Sequence, residues 1–142
     1  MADIIRTGTA VTSASPARKT TGLTSIKTAY TFAGTNNSTA SAVVQMMKIP
    51  AGATMVSLKV AGGPAPSANG CTIVVGDGVD ENRYLDSTSA SGDMAPVDCM
   101  ALLTSAAYTY SVDDTIDIKI TAALTGTATG TFYMNALYTN DP

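Results

Sequence analysis

The sequence predicts an all-β protein: a two-sheet antiparallel β-sandwich of jelly-roll type, with about eight strands and an extended N-terminal arm. Three observations carry that expectation. Apolar residues recur with period two from Ser25 to the C-terminus. Turn-forming residues punctuate the chain roughly every dozen residues. No apolar pattern of helical period runs beyond a turn or two. Short strands without helical crossovers imply antiparallel pairing. The absence of a repeat of fixed period argues against propellers and solenoids.

Each element has its own justification. Met1 to Thr24 carries Ile4, Ile5 and Val11 without any period and is rich in Ser, Thr and Ala, so it reads as an arm (residues 1–24) ahead of the sandwich (residues 25–142). Ser25 to Phe32 places Ile26, Thr28, Tyr30 and Phe32 on one face. Ala40 to Ile49 is nearly continuous apolar sequence and reads as a strand buried on both faces. Pro50-Ala51-Gly52 is a turn signal. Thr54 to Val60 then alternates, with Val56, Leu58 and Val60 expected inward and Ser57 and Lys59 outward. A breaker-rich loop at 62–70 precedes a β-branched strand, Cys71 to Val75. Residues 76–82 form a turn and Arg83 to Leu85 a short strand, and Asp86 to Asp98 reads as a long loop. Met100 to Leu103 fits either a strand or one helical turn, and Ala107 to Tyr110 is extended. Thr115 to Thr121 alternates Ile116, Ile118 and Ile120 against Asp117, Lys119 and Thr121. The last strand, Thr131 to Thr139, puts Phe132, Met134, Ala136 and Tyr138 on one face.

Composition narrows the function. A chain of 142 residues favours one domain with one core. Charged residues make up only 13%, about half the usual share. Their place is taken by 22 Thr and 12 Ser, beside 22 Ala. Such a surface repels copies weakly and suits a protein with extensive protein contacts. There is no His, which excludes His-based triads, His metal sites and His proton shuttles. A net charge of −3 with scattered basic residues argues against nucleic-acid binding. No apolar stretch is long enough to span a membrane as a helix, and none at the start resembles a secretory signal, so synthesis in a cytoplasm is expected. Two cysteines, Cys71 and Cys99, then read as free thiols, with Cys71 in the core and Cys99 less buried.

The most conspicuous polar cluster is Asp77, Asp80, Glu81, Arg83 and Asp86. Carboxylates of this kind can hold a hard cation, which makes Asp77, Asp80 and Glu81 the weak metal candidates. The spacing is not that of an EF-hand loop, and the ordinary reading is a solvated turn with Arg83 paired to an aspartate. Gly76-Asp77-Gly78 lacks the third glycine and following helix of a phosphate loop. Asp113 and Asp114 would point to opposite faces of a strand, which suits turn capping and not acid–base work. Tyr84, Tyr108, Tyr110, Tyr133 and Tyr138 are the candidates for a sugar-stacking platform, with Tyr108 and Tyr110 sharing a face, although core filling and subunit contact are the commoner uses. No catalytic set emerges: the cysteines and hydroxyls have no His to act as base. A non-enzymatic chain without cofactor is expected.

The pattern resembles the small jelly-roll cement, or decoration, proteins of tailed-bacteriophage capsids and related phage structural proteins. The resemblance is carried by Ile49-Pro50-Ala51-Gly52-Ala53 before an alternating strand, by Val75 through Leu85, by Tyr108 through Asp117, and by Gly130-Thr131-Phe132 through Tyr138. It covers about two thirds of the chain. It implies a virion protein on the capsid surface, made in the bacterial host, that clamps neighbouring major capsid protein subunits and associates as a homotrimer. A carbohydrate- or receptor-binding module of a tail or fibre is the alternative, since jelly rolls host lectins as well. The alternative predicts a groove lined by Tyr108 or Tyr110, whereas on a capsid Ile4, Ile5 and Val11 are the expected partner-binding residues, reaching a neighbouring cement or capsid subunit. Burying each is worth about 1.5–3 kcal/mol. Ordering the arm costs about 1–2 kcal/mol per residue. Three anchors cannot offset that, so the arm is expected to add backbone hydrogen bonds at a strand edge of a neighbour.

Overall fold

The computed structural model describes residues 4–5, 22–32, 42–65, 71–101, 108–122 and 129–140. Nine strands appear among them: β1 (Ile4–Ile5), β2 (Gly22–Thr31), β3 (Val43–Ile49), β4 (Ala53–Ala65), β5 (Cys71–Asp77), β6 (Leu85–Ala90), β7 (Val97–Asp98), β8 (Asp114–Ala122) and β9 (Thr129–Asn140). They form two sheets, ordered β1-β3-β8-β5-β6 and β2-β9-β4-β7. All pairings are antiparallel except β1 with β3, where Ile4 and Ile5 run parallel to Val43 and Val44.

The connectivity is nested. β2 pairs with β9, β3 with β8, β4 with β7 and β5 with β6, so each strand meets its counterpart counted from the other end. A long hairpin folded over twice in this way lays β2, β4, β7 and β9 in one layer and β3, β5, β6 and β8 in the other. That is the jelly-roll arrangement of two interlocked Greek keys.

The core lies between the layers. Val44, Met46, Met47, Ile49, Ile73, Val75, Ile116, Ile118 and Ile120 face inward from one sheet. Tyr30, Met55, Leu58, Val60, Phe132, Met134 and Tyr138 come from the other. The pattern matches the period-two reading of residues 25–32, 115–121 and 131–139. At the Pro50 turn, Ala53 N–H bonds Pro50 C=O and Gly52 has φ 85°, the left-handed value a type II turn requires at its third position.

Several expectations are corrected, each for a physical reason. Val56 points outward, because a bulge between Met55 and Ser57 inserts one residue and shifts the alternation. A bulge between Gln45 and Met47 turns both Met46 and Met47 inward. That is why residues 43–49 look apolar on two faces while Lys48 is exposed. The stretch read as a loop at 86–98 contains β6 and β7. Both are edge strands, so Asp86, Ser87 and Ser89 stay in solvent and leave no apolar alternation to detect. β2 begins at Gly22, ahead of residue 25. Cys99 is fully buried, and Cys71 and Cys99 are both free thiols. Met100 and Ala101 belong to no strand, and residues 102–107 lie outside the described residues.

Candidate functional site

Three connections meet at one end of the sandwich: the β3–β4 turn, the β5–β6 loop at 78–84, and the segment 108–113 that leads into β8. Asp77 ties them together. It closes β5 with its side chain buried, and its Oδ1 accepts hydrogen bonds from the backbone N–H of Val79 (3.0 Å) and Asp80 (2.8 Å). That is the Asx-turn bonding that lets aspartate hold a tight loop. The other oxygen accepts from Arg83 Nε at 2.5 Å and from the Tyr110 hydroxyl at 3.4 Å. Arg83 lies over the Tyr108 ring, 3.7 Å from its centroid, and Tyr108 meets Tyr110 edge to face at 5.0 Å. Burial works against the Arg83 cation, yet the hydrogen bond and charge of Asp77 outweigh it and hold its pKa above the ordinary value.

The remaining residues of this end act as caps and struts. Tyr84 and Tyr110 join hydroxyls at 2.6 Å inside the core, and burial raises both phenol pKa values. Asp113 Oδ1 accepts from Ala51 N–H, while Asp114 Oδ1 accepts from Gly78 and Thr115 N–H. The adjacent aspartates therefore serve different neighbours, as their opposite directions require. Glu81 pairs with Lys119 on β8. Asp80 Oδ1 accepts from Asn82 N–H at 3.4 Å. Burial pushes the thiols of Cys71 up to about 11 and Cys99 up to about 12, well above the range of a reactive thiolate.

A hollow of about 540 Å³ opens beside this loop on the outer face of the five-stranded sheet, lined by Val43, Gln45, Asp77, Glu81, Asp117 and Lys119. Asp117 Oδ1 is buried there without a hydrogen-bond partner. Burial pushes its carboxyl up to about 6, and the charges of Asp114 and Asp77 add to the effect. The folded state thus holds this proton more tightly than the unfolded chain. The contribution of Asp117 to stability should therefore rise as pH falls from 7.5 to 4.5, and Asp117→Asn should abolish that contribution. At pH 7.5 the substitution should stabilise by on the order of 1–2 kcal/mol, a figure discounted for partial exposure. Denaturant melts of both proteins at the two pH values measure this. Parallel pH profiles would contradict it.

The sequence-derived candidates are thus placed as follows. Asp77 is a buried structural acceptor, and Asp80 and Glu81 are engaged with Asn82 and Lys119. Among the described residues no group of three or more His, Cys, Asp or Glu is arranged to hold a metal ion. Tyr108 and Tyr110 do share a contact, but Tyr110 is buried and Arg83 covers the Tyr108 ring, so they form no open stacking platform. Ile4 and Ile5 add to the β3 edge of their own chain, and Val11 lies outside the described residues. Sequence reasoning missed the Tyr84–Tyr110 hydroxyl pair and the Asp117 hollow. Only the Asp77-x-x-x-x-x-Arg83 spacing within the loop offered a signal.

The strand order and the hydrogen-bonded end loops define an eight-stranded jelly roll with a short parallel addition at one edge. No protein-family model and no curated protein sequence matches the chain. Solved structures do. A chain from the capsid of Ralstonia phage GP4 matches with a TM-score of 0.75 and 16% identity, covering 99% of both chains. A chain from the capsid asymmetric unit of Cyanophage Pam1 matches with a TM-score of 0.66 and 17% identity, covering 84% of this chain and 85% of that one. At such identities the likeness is one of fold.

Proposed function

We propose that the chain is a virion structural protein that binds the outer surface of a phage capsid and clamps neighbouring major capsid protein subunits, as a homotrimer. The observation that carries this reading is the fold match to a chain of the Ralstonia phage GP4 capsid, which leaves almost no residue of either chain over. The low charge and Thr-rich surface fit extensive protein contact. The end loops are closed by internal hydrogen bonds and carry no exposed nucleophile–base pair among the described residues. Clamping works by simultaneous contacts: each interface can be modest, because binding one subunit raises the effective concentration of the protein at the next. No membrane, nucleic-acid or cofactor partner enters this reading.

The residues ahead of β2 act in this proposal as a tether: Ile4 and Ile5 hold to the β3 edge of their own chain, and Val11 is seated on an adjacent subunit. The test is reconstitution. Capsids lacking this protein are incubated with the full chain or with a form lacking residues 2–20, then heated while DNA release is followed. The full chain should raise the release temperature, and the truncated form should bind at least tenfold more weakly with its own melting temperature little changed. Equal release temperatures with and without the full chain would overturn the cementing role. Unchanged affinity of the truncated form would remove the tether.

A further inference from the structure

Among the described residues five large apolar side chains are markedly exposed: Leu23 (61%), Val56 (49%), Tyr133 (51%), Val79 (80%) and Val112 (62%). They fall into two patches. Leu23, Val56 and Tyr133 lie on the outer face of the four-stranded sheet, on β2, β4 and β9. Val79 and Val112 lie on the loops of the acidic end.

The two patches differ in charge. Across the four-stranded sheet the register aligns Lys27, Asn135, Lys59 and Asp98 in one row. That row holds two exposed cations and, on the two-residue edge strand, one carboxylate whose Oδ1 accepts from Met100 N–H. Neither lysine forms an ion pair among the described residues. The acidic end gathers Asp77, Asp80, Glu81, Asp86, Asp113 and Asp114, with Arg83, Lys48 and Lys119 as the cations near it. Arg83 is consumed by Asp77 and Lys119 by Glu81. Asp86 and Asp113 are exposed and form no ion pair among the described residues, Asp86 accepting from Asn82 Nδ2 and Asp113 from Ala51 N–H.

We propose that the two patches are the two halves of one interface between copies of this chain: the acidic end of one copy docks on the lysine-bearing sheet face of the next. The occupant of the sheet face is thus a second copy. The argument is charge complementarity combined with matched apolar exposure on both halves. Apolar side chains supply the burial, while the Asp–Lys contacts fix the register and reject end-to-end or face-to-face pairing. Because the two halves are different surfaces, the contact is head to tail, and such contacts close into rings when the rotation permits. The proposal rests on the trimer reading above only for the number of copies in the ring.

The experiment is sedimentation of the free full-length chain at micromolar concentration, without capsids. Lys27→Glu with Lys59→Glu should weaken association at least tenfold, and so should Asp86→Lys with Asp113→Lys. Combining all four reversals in one chain restores opposite charges on the two halves and should restore the oligomer. Association of the unmodified chain should also weaken as salt is raised from 0.05 to 1 M, by screening of these contacts. The salt series decides the matter even if one double variant fails to fold. An oligomer unaffected by the reversals and by salt would overturn the contact, as would a chain that is monomeric at 0.05 M salt. Either result would leave capsid attachment standing, since that is read from DNA release. Conversely, a charge-dependent ring that leaves release temperatures unchanged would retain the contact and remove the cementing role.

Discussion

Replacing Asp77 with Ala is expected to destabilise the protein by about 3–5 kcal/mol, the usual cost of removing one partner of a buried ion pair. For a domain of this size that lowers the melting temperature by on the order of 10 °C. The carboxylate is fully buried against Arg83, whose side chain is itself only 12% exposed. Its loss strips the Val79 and Asp80 N–H groups and the Tyr110 hydroxyl of their acceptor as well. Asp77→Asn should fall between the two, because an amide oxygen still accepts from the loop backbone but brings no charge to Arg83. Thermal unfolding followed by circular dichroism measures all three proteins. A loss below about 1 kcal/mol for Ala would mean that the loop is a solvated turn after all.

Gly76→Ala is the second large effect expected. A Cβ built on Gly76 would lie 2.1 Å from Asp80 O and 2.3 Å from the Glu81 carbonyl carbon. Both are backbone atoms of the loop that folds back over β5, so no side-chain rotation can relieve the clash. Overpacking of this kind costs about 1–3 kcal/mol, and the upper end applies where backbone must shift. The substitution should also open the hollow beside Asp117, since the loop is its wall. Proteolysis of the loop at 78–84 would then speed up relative to the parent protein while β-sheet circular dichroism is retained. A melting temperature within 1–2 °C of the parent, about what a change of half a kcal/mol produces, would show that the loop does not rest on Gly76.

The same loop shows why parts of the site were illegible in sequence. Asp77, Gly78, Asp80 and Asn82 are all turn formers, so residues 76–82 read as a solvent-facing connection. Nothing local says that Tyr110, 33 positions away, delivers its hydroxyl to Asp77. Asp117 alternates with Ile116 and Ile118 and so reads as an outward residue, which it is. Its burial comes from the β5–β6 loop folding over that face. Val56 misled for a different reason. A bulge costs only one residue, and neither Met55-Val56-Ser57 nor its partner strand carries a local mark of it.

The sequence by itself determined the class of fold, the two-layer core and the identity of most residues in it. Period-two alternation in β2, β8 and β9 tells which side chain faces inward wherever a strand is regular and one of its faces is wet. It also determined much of the exclusion of chemistry, since a chain without His cannot assemble the commonest catalytic sets. The nesting of β2 with β9 and β3 with β8 was decided only in the tertiary structure, as were the edge strands β6 and β7, the bulges in β3 and β4, and the closure of the acidic end around Asp77. The physical reason is range. Burial patterns are written locally, along a single strand. Strand pairing, edge position and buried ion pairs join residues dozens of positions apart, and their free energy exists only once both partners are brought together.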